Sequence, residues 1–379
     1  MGNNTYIFAG GGTGGHLYPA LAVAVELKQL QPEAQIVCAC SDRAIDRTIL
    51  AATPYAIVPQ PIKPLPRRPR GWLGFLAGLV KSWKLASRLV GDLQPRAVFG
   101  LGGFAAVPVV RAAAARGIRS CLLSIDAVPG LANRLLARHA QAIFTQFQQT
   151  ATCYGANAAK CRLIGCPVRR ELVSAERAAA VKELGLRPDR KTLLVMAGSL
   201  GAANINQAAV AILSDLARLA DAWQVLHVTG ADKLAEVRAA YAELKPTTDL
   251  AAASKQLHHV LLEYCHRMDL AYAATDLVLS RAGASTIGEL VAVGKPAALM
   301  PYPYHRDQQQ RRNAEGMVAS GSAILVLDAC DATANARSLR ELLWPVMIDP
   351  ARLDRLAKAA SSSVRNDAAS QLARWLLGG

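Results

Sequence analysis

Two α/β units in tandem, each a parallel sheet with helices on both faces, is the fold this sequence predicts. Three observations carry it. The chain has 379 residues, which at roughly 150 residues per domain suggests two domains. Short apolar runs of strand length alternate with Ala- and Leu-rich helical stretches from end to end, the pattern of parallel sheets joined by crossover helices. After about residue 165 the alternation starts again, so two sheets fit better than one very large one. With 52% hydrophobic and 19% charged residues, the chain is too apolar to be disordered and has ample material for two cores.

Residues 6–9 form an apolar strand that runs into a glycine loop. A helical pattern covers 19–31, and 35–40 are the next strand. Residues 97–100 precede Gly102 and Gly103, and 120–124 and 142–145 are further short strands. In the second half the strands fall at 192–197, 224–229, 260–262, 277–280, 297–301 and 323–327, and 175–184 reads as an amphipathic helix. The linker lies within 155–175, giving units at 1–162 and 163–345. The remaining 346–379 hold a last helix, near 351–377, which fits either unit, packing back onto the first being one of the two placements.

Composition narrows the compartment. The opening residues lack a basic segment ahead of an apolar one, so no signal peptide is expected, and no run resembles a membrane span of ~20 apolar residues. The eight cysteines are scattered, with no Cys-x-x-Cys and no zinc-like spacing with histidine. Neither disulfides nor a metal is expected, and the protein reads as cytoplasmic.

Charge is unevenly placed. The chain carries a formal +15, and residues 1–160 hold 17 basic against 6 acidic residues. Such asymmetry points to an anionic partner, nucleic acid or an acidic membrane surface. The stretch 59–70, PQPIKPLPRRPR, is Pro-rich and basic, with Arg67, Arg68 and Arg70. A helical pattern follows with Trp72, Leu73, Phe75, Leu76, Leu79, Val80 and Trp83, then Lys81, Lys84 and Arg88. Tryptophans beside a basic cluster suit a membrane interface. A surface helix packing its apolar side on a sheet fits the same composition. Only 5% of residues are aromatic and no nucleic-acid module is present, which weakens the nucleic-acid reading.

Glycine loops supply the chemistry. The first, Gly10-Gly11-Gly12-Thr13-Gly14-Gly15-His16, lies between a strand and a helix, where the backbone turns sharply and amides at the helix start attract anions. Its spacing also satisfies a dinucleotide fingerprint with Asp42 as a ribose acid, or a purely structural turn. The second, around Ser199, has no following Gly-Lys-Ser/Thr and is not a P-loop, yet suits a diphosphate. The third, at 280–286, places Ala284, Ser285 and Thr286 at a helix start and Glu289 one turn on. That carboxylate fits ribose hydroxyls or a capping arrangement. Gln308, Gln309, Gln310 and Asn313 then cluster amides, which both donate to and accept from sugar hydroxyls.

Taken together these segments resemble the MurG family, glycosyltransferases that move N-acetylglucosamine (GlcNAc) from UDP-GlcNAc onto undecaprenyl-pyrophosphoryl-MurNAc-pentapeptide in peptidoglycan synthesis. The carriers are GGTGGHLYPALAVA at 11–24, GLGGF at 100–104, GCPVR at 165–169, AGSLGAANIN at 197–206, SRAGASTIGEL at 280–290 and DQQQRRNA at 307–314, in order along nearly the whole chain. The resemblance implies a GT-B architecture, two Rossmann-like doubly wound domains with a cleft between them. It implies Arg169 and the backbone at Cys265 near the uracil, Ser199 and the 284–286 loop near the diphosphate, Glu289 at the ribose, and Gln309 and Gln310 at the GlcNAc. Thr13, Gly14, Gly15 and His16 would face the reaction centre and the acceptor diphosphate. Residues 67–88 would dock on the anionic inner leaflet, on the cytoplasmic face of the cell membrane. UDP-GlcNAc is then a substrate, and no cofactor is expected. The chain contains no Asp-x-Asp for a metal-bridged diphosphate, leaving helix starts and Arg/Ser to offset charge. His16 is the candidate base; orienting the loop or binding phosphate is an equal alternative.

Departures from the family cluster on the acceptor side. Leu123-Ser124-Ile125-Asp126 stands where the family has His-Glu-Gln-Asn, Phe104 where it has Tyr, and Cys166 where it has Asn. Asp126 exchanges a neutral amide for a negative charge, which would repel a pyrophosphate unless protonated or paired. The expectation is retained donor binding with an altered acceptor or slow turnover. A membrane-bound scaffold is the non-enzymatic alternative, and a nicotinamide-dependent oxidoreductase rests on the first loop alone.

Overall fold

The computed structural model describes residues 4–12, 14–62, 66, 71–196, 203–243, 256–304 and 307–379. Thr13, Arg67, Arg68, Arg70, Ser199, His305 and Arg306 lie outside these. The chain divides into two compact units, 1–169 with 365–379 and 170–364.

In the first unit the order is β1 (Thr5–Gly10), α1 (Gly14–Leu30), β2 (Gln35–Ala39), α2 (Ala44–Ala51), β3 (Ala56–Ile57), α3 (Trp72–Leu93), β4 (Ala97–Gly102), α4 (Ala106–Ala114), β5 (Arg119–Ser124), α5 (Leu131–Leu136), β6 (Ala142–Thr145), a 3-10 stretch at Gln148–Lys160 and β7 (Cys161–Leu163). The described strands form one parallel sheet in the order β3-β2-β1-β4-β5-β6-β7. β1 and β4 are buried along their whole length, as expected of strands covered on both faces. Ile7, Val98, Leu122 and Ile143 pack with Val109, Val110 and Leu136 in the core on one side.

The second unit opens with a 3-10 turn at Arg170–Val173, then α6 (Arg177–Glu183), β8 (Lys191–Met196), α7 (Ala203–Ala211), α8 (Leu213–Ala217), β9 (Trp223–Val228), α9 (Leu234–Ala242), β10 (His259–Leu262), α10 (Met268–Ala274), β11 (Leu277–Ser280), α11 (Ala284–Val293), β12 (Ala297–Leu299), α12 (Gln309–Ala319), β13 (Ala323–Leu325), α13 (Ala332–Leu342), α14 (Trp344–Ile348) and α15 (Pro350–Ser362). Its parallel sheet runs β10-β9-β8-β11-β12-β13. Leu193, Val195, Leu277 and Leu279 anchor its larger core with Trp223, whose indole N–H donates to Met347 O at 3.0 Å.

The expected single terminal helix is two. α15 ends near Ser363, and α16 (Ala368–Leu377) belongs to the first unit. There Trp375 meets Phe144 edge-on at 5.7 Å, and the Arg119 guanidinium stacks over the Trp375 ring at 4.0 Å. Apolar burial on a second surface decides which unit α16 joins, and the helical periodicity of 351–377 does not report that.

In each sheet the strand order reverses once, between β1 and β4 and between β8 and β11. Open α/β sheets bind ligands outside the carboxyl ends of the strands at that switch point.

Candidate functional site

At the first switch point, β1 ends in Gly10 and leads into Gly11 and Gly12, and β4 ends in Gly102 and leads into Gly103. A Cβ at Gly11 would fall 2.5 Å from Asp46 Oδ2. Asp46, on α2, is fully buried. Both its oxygens accept from the Gly12 amide, at 2.9 and 2.8 Å, and Oδ2 also accepts from the Ser41 hydroxyl. Arg43 closes the loop from outside by donating to Gly12 O at 2.9 Å. The Gly12 amide is therefore already committed to an internal carboxylate. Asp42, the ribose acid of the dinucleotide reading, is an exposed partner of Arg47. Neither residue supports a dinucleotide here.

His16, in the first turn of α1, lies over β4. A Cβ at Gly102 would sit 3.3 Å from His16 Nε2 and 3.6 Å from Asn133 Oδ1, and Gly102 has φ 95°, so glycine alone suits the position. Asn133, on α5, donates to Leu123 O at 2.8 Å, while its Oδ1 is buried without a hydrogen bond. Burial lowers the His16 pKa below its ordinary value, and the carboxylates of Asp126 and then Asp46 oppose that shift. The imidazole is thus neutral near pH 7 with two acids close enough to favour its charged form. Asp126 is half-buried, and the Thr150 hydroxyl donates to its backbone carbonyl and to that of Ala127, each at 3.2 Å. Gly14 and Gly15 begin α1. Arg169 is exposed, with its guanidinium 5.3 Å over the Tyr18 ring.

The second switch point joins the end of β8, the start of α7, and the loop from β11 into α11. Ala284, Ser285 and Thr286 form the first turn of α11. Its N-cap is Gly283, which makes no side-chain cap hydrogen bond. Glu289 Oε2 accepts from the Tyr272 hydroxyl at 2.8 Å. Arg281, almost fully buried, donates to Asp328 Oδ2 at 2.8 Å and to the carbonyls of Met300 and Pro301 at 3.0 and 3.1 Å. Asp328 also accepts from Asn204 at the head of α7, from Asn335 and from the Cys330 amide. Burial pushes its carboxyl up, but these donors outweigh that and hold it below the ordinary value. One ionised carboxylate thereby ties α7, the β11–α11 loop and the segment after β13.

Cys265 is buried in the turn after β10, its thiol pushed up by burial. Gln309 and Gln310 open α12 half-buried, and Gln310 Oε1 accepts from the Tyr302 amide at 2.9 Å. Asn313, grouped with them by sequence, is instead buried and donates to Ala282 O at 3.3 Å.

The expected membrane helix divides by face. Trp72 and Leu76 are exposed, and Leu73, at 82%, and Val80 share that side. Phe75 is buried against Ile62 and Ala105, with Leu79 and Phe104 around it, and Phe75 meets Phe104 edge-on at 6.0 Å. Trp83 is half-buried under the Arg111 guanidinium at 4.9 Å. Phe75, Leu79 and Trp83 are thus committed inward by helical periodicity, and the outward apolar residues are Trp72, Leu73, Leu76 and Val80. Among the described residues no helix is long and apolar enough to cross a membrane.

Asp46, Asn133, Tyr272 and Asp328 escaped sequence reasoning. Each is a lone polar residue inside an otherwise ordinary helix or loop. The nearest signal was the acid-rich turn Asp42–Asp46 directly after the second strand.

Two parallel-sheet α/β units, each with a switch point, make up a GT-B fold, here that of glycosyltransferase family 28. Residues 6–145 match the glycosyltransferase family 28 N-terminal domain and 192–372 its C-terminal domain. A Clavibacter michiganensis UDP-N-acetylglucosamine–N-acetylmuramyl-(pentapeptide) pyrophosphoryl-undecaprenol N-acetylglucosamine transferase is 36% identical over 373 residues, 97% of this chain and 94% of its own. The Acidothermus cellulolyticus protein of the same name is 37% identical over 377 residues, covering 97% and 95%. The crystal structure of Acinetobacter baumannii MurG superposes with a TM-score of 0.75 over 99% of both chains at 24% identity, a likeness of fold. The chain belongs to the MurG family.

Proposed function

We propose that this chain is an inverting glycosyltransferase that moves GlcNAc from UDP-GlcNAc to the MurNAc 4-hydroxyl of undecaprenyl-pyrophosphoryl-MurNAc-pentapeptide. The observation that carries the reading is full-length identity to transferases of that name. The altered-acceptor and scaffold readings raised by residues 123–126 are not favoured beside it.

In this reading Glu289 takes the ribose hydroxyls, and Gln309 and Gln310 the GlcNAc hydroxyls. Arg169 and the backbone at Cys265 take the uracil. Ser199 and the first turn of α11, Ala284 to Thr286, take the diphosphate, where the helix dipole stabilises charge as UDP leaves. His16, with Thr13, Gly14 and Gly15 beside it, acts on the acceptor. Its neutral imidazole removes the 4-hydroxyl proton as that oxygen attacks the anomeric carbon. The neighbouring carboxylate of Asp126 then stabilises the imidazolium, which gives a negative charge on the acceptor side a use. UDP-GlcNAc is a substrate, and the reaction as proposed draws on no cofactor.

The exposed apolar residues of α3, with Lys81, Lys84 and Arg88 and the preceding Arg67, Arg68 and Arg70, suit an anionic membrane surface facing the cytoplasm. Nucleic acid is not proposed as a partner. Calorimetric titration with UDP-GlcNAc, UDP-GalNAc and NADH tests the donor assignment. Selective UDP-GlcNAc binding is expected, and absence of any UDP-sugar binding would sink the transferase reading.

A further inference from the structure

Tyr272 is a core side chain with one polar atom. It lies on α10 and is fully buried, as is Ala271 beside it. Its hydroxyl donates to Glu289 Oε2 at 2.8 Å and lies 3.9 Å from Met196 Sδ at the end of β8. Phenylalanine would fill the same volume without burying a hydroxyl, which is unfavourable in an apolar setting unless it is bonded. The one strong bond it makes is to the carboxylate on the helix that follows the switch-point strand. Burial, and then the Glu289 charge, push the phenol well above its ordinary value, so it remains a donor throughout the working pH range.

We infer that Tyr272 is a positioning residue that holds Glu289 in the orientation that receives the ribose hydroxyls, and so sets how strongly the site prefers a ribonucleotide. The inference rests on the proposed ribose role of Glu289. A glutamate side chain left free must be ordered when the nucleotide arrives, and immobilising one such chain weakens binding by about fivefold. Tyr272 contributes to that ordering beforehand by holding Oε2. Its effect should therefore be felt only by ligands that carry the ribose hydroxyls.

The test is equilibrium binding of UDP and of 2′,3′-dideoxy-UDP to the full chain and to two variants, Tyr272→Phe and Glu289→Gln, with thermal melts confirming that both fold. The unmodified protein should prefer UDP by about 100-fold, as charge-assisted bonds to two hydroxyls imply. Glu289→Gln should erase most of that preference. Tyr272→Phe should lower it about fivefold with dideoxy-UDP affinity unchanged. If Tyr272→Phe weakens both ligands alike, or neither, while Glu289→Gln still erases the preference, the positioning role is overturned and the ribose role stands. If Glu289→Gln leaves the preference intact, the ribose reading fails and this inference falls with it.

Discussion

Gly12 donates its backbone amide to both carboxylate oxygens of Asp46, at 2.9 and 2.8 Å. A glycine loop at the carboxyl end of a parallel strand is a natural seat for phosphate. Here a buried side chain occupies the amide that a dinucleotide would use. The first loop is thus shaped by the protein itself, in keeping with the proposed seat of the donor diphosphate on the second unit.

Asp46→Ala should therefore destabilise the protein by about 3 kcal/mol, because the Gly12 amide and Ser41 hydroxyl lose their buried acceptor. UDP affinity should not change. Urea unfolding and UDP calorimetry on the same variant separate the two effects; a matching loss of UDP affinity would place the donor on the wrong loop.

Asp328 should matter to both stability and donor binding. Removing it with Asp328→Ala strands the buried Arg281 guanidinium, at a cost of about 3–5 kcal/mol, and frees Asn204 at the head of α7. UDP binding should weaken as well. A paired Arg281→Met, Asp328→Leu variant should be more stable than the Asp328→Ala single, since no charge is left unpaired. Thermal denaturation of the set measures this directly.

His227 gives the stability an acid limb. It is fully buried between Asn206, at 3.0 Å, and Tyr241, at 3.4 Å, and burial lowers its pKa to about 4. The unfolded chain takes up this proton near pH 6.5, so stability falls as pH drops from about 6.5 towards about 4. The loss from this residue is on the order of 3 kcal/mol. In His227→Gln the slope of unfolding free energy over that window should be shallower than in the unmodified protein. Equal slopes would show that His227 does not carry the acid sensitivity.

The outward face of α3 should decide membrane attachment. Replacing Leu73 and Val80 by Glu removes two apolar side chains worth about 1.5–3 kcal/mol each when fully buried and adds charge repelled by anionic lipid. Flotation with anionic vesicles should lose most of the bound protein, and UDP affinity should stay the same. Phe75→Ala should act differently, lowering the melting temperature because Phe75 packs inward against Ile62 and Ala105.

Much of this architecture is legible in the sequence because strands buried on both faces read as continuous apolar runs. Residues 142–145 and 277–280 coincide with β6 and β11, and the other predicted strands differ only at their ends. β3, two residues long, and β7 at the far edge carry too little apolar character to be seen. Ring stacking and apolar burial between residues far apart in sequence send α16 to the first unit, and no local pattern encodes that. In the site, glycine loops mark the switch points because positive φ and close approach demand glycine. The side chains that hold those loops, Asp46, Tyr272 and Asp328, are single residues that reach Gly12, Glu289 and Asn204, at 34, 17 and 124 positions away. Periodicity also leaves the inward placement of Phe75 against Ile62 and Ala105 unread, since a helical stripe of apolar residues looks the same whether it faces a core or a membrane.

The most direct test is transfer itself: the unmodified protein with labelled UDP-GlcNAc and undecaprenyl-pyrophosphoryl-MurNAc-pentapeptide in anionic vesicles, beside His16→Ala and Asp126→Asn. The proposed mechanism requires label to move into the lipid fraction with release of UDP, with near-complete loss in His16→Ala and lower turnover in Asp126→Asn. Failure of the unmodified protein to label the lipid while it still binds UDP-GlcNAc, with turnover appearing in Asp126→Asn, would contradict it and make an altered acceptor the better reading.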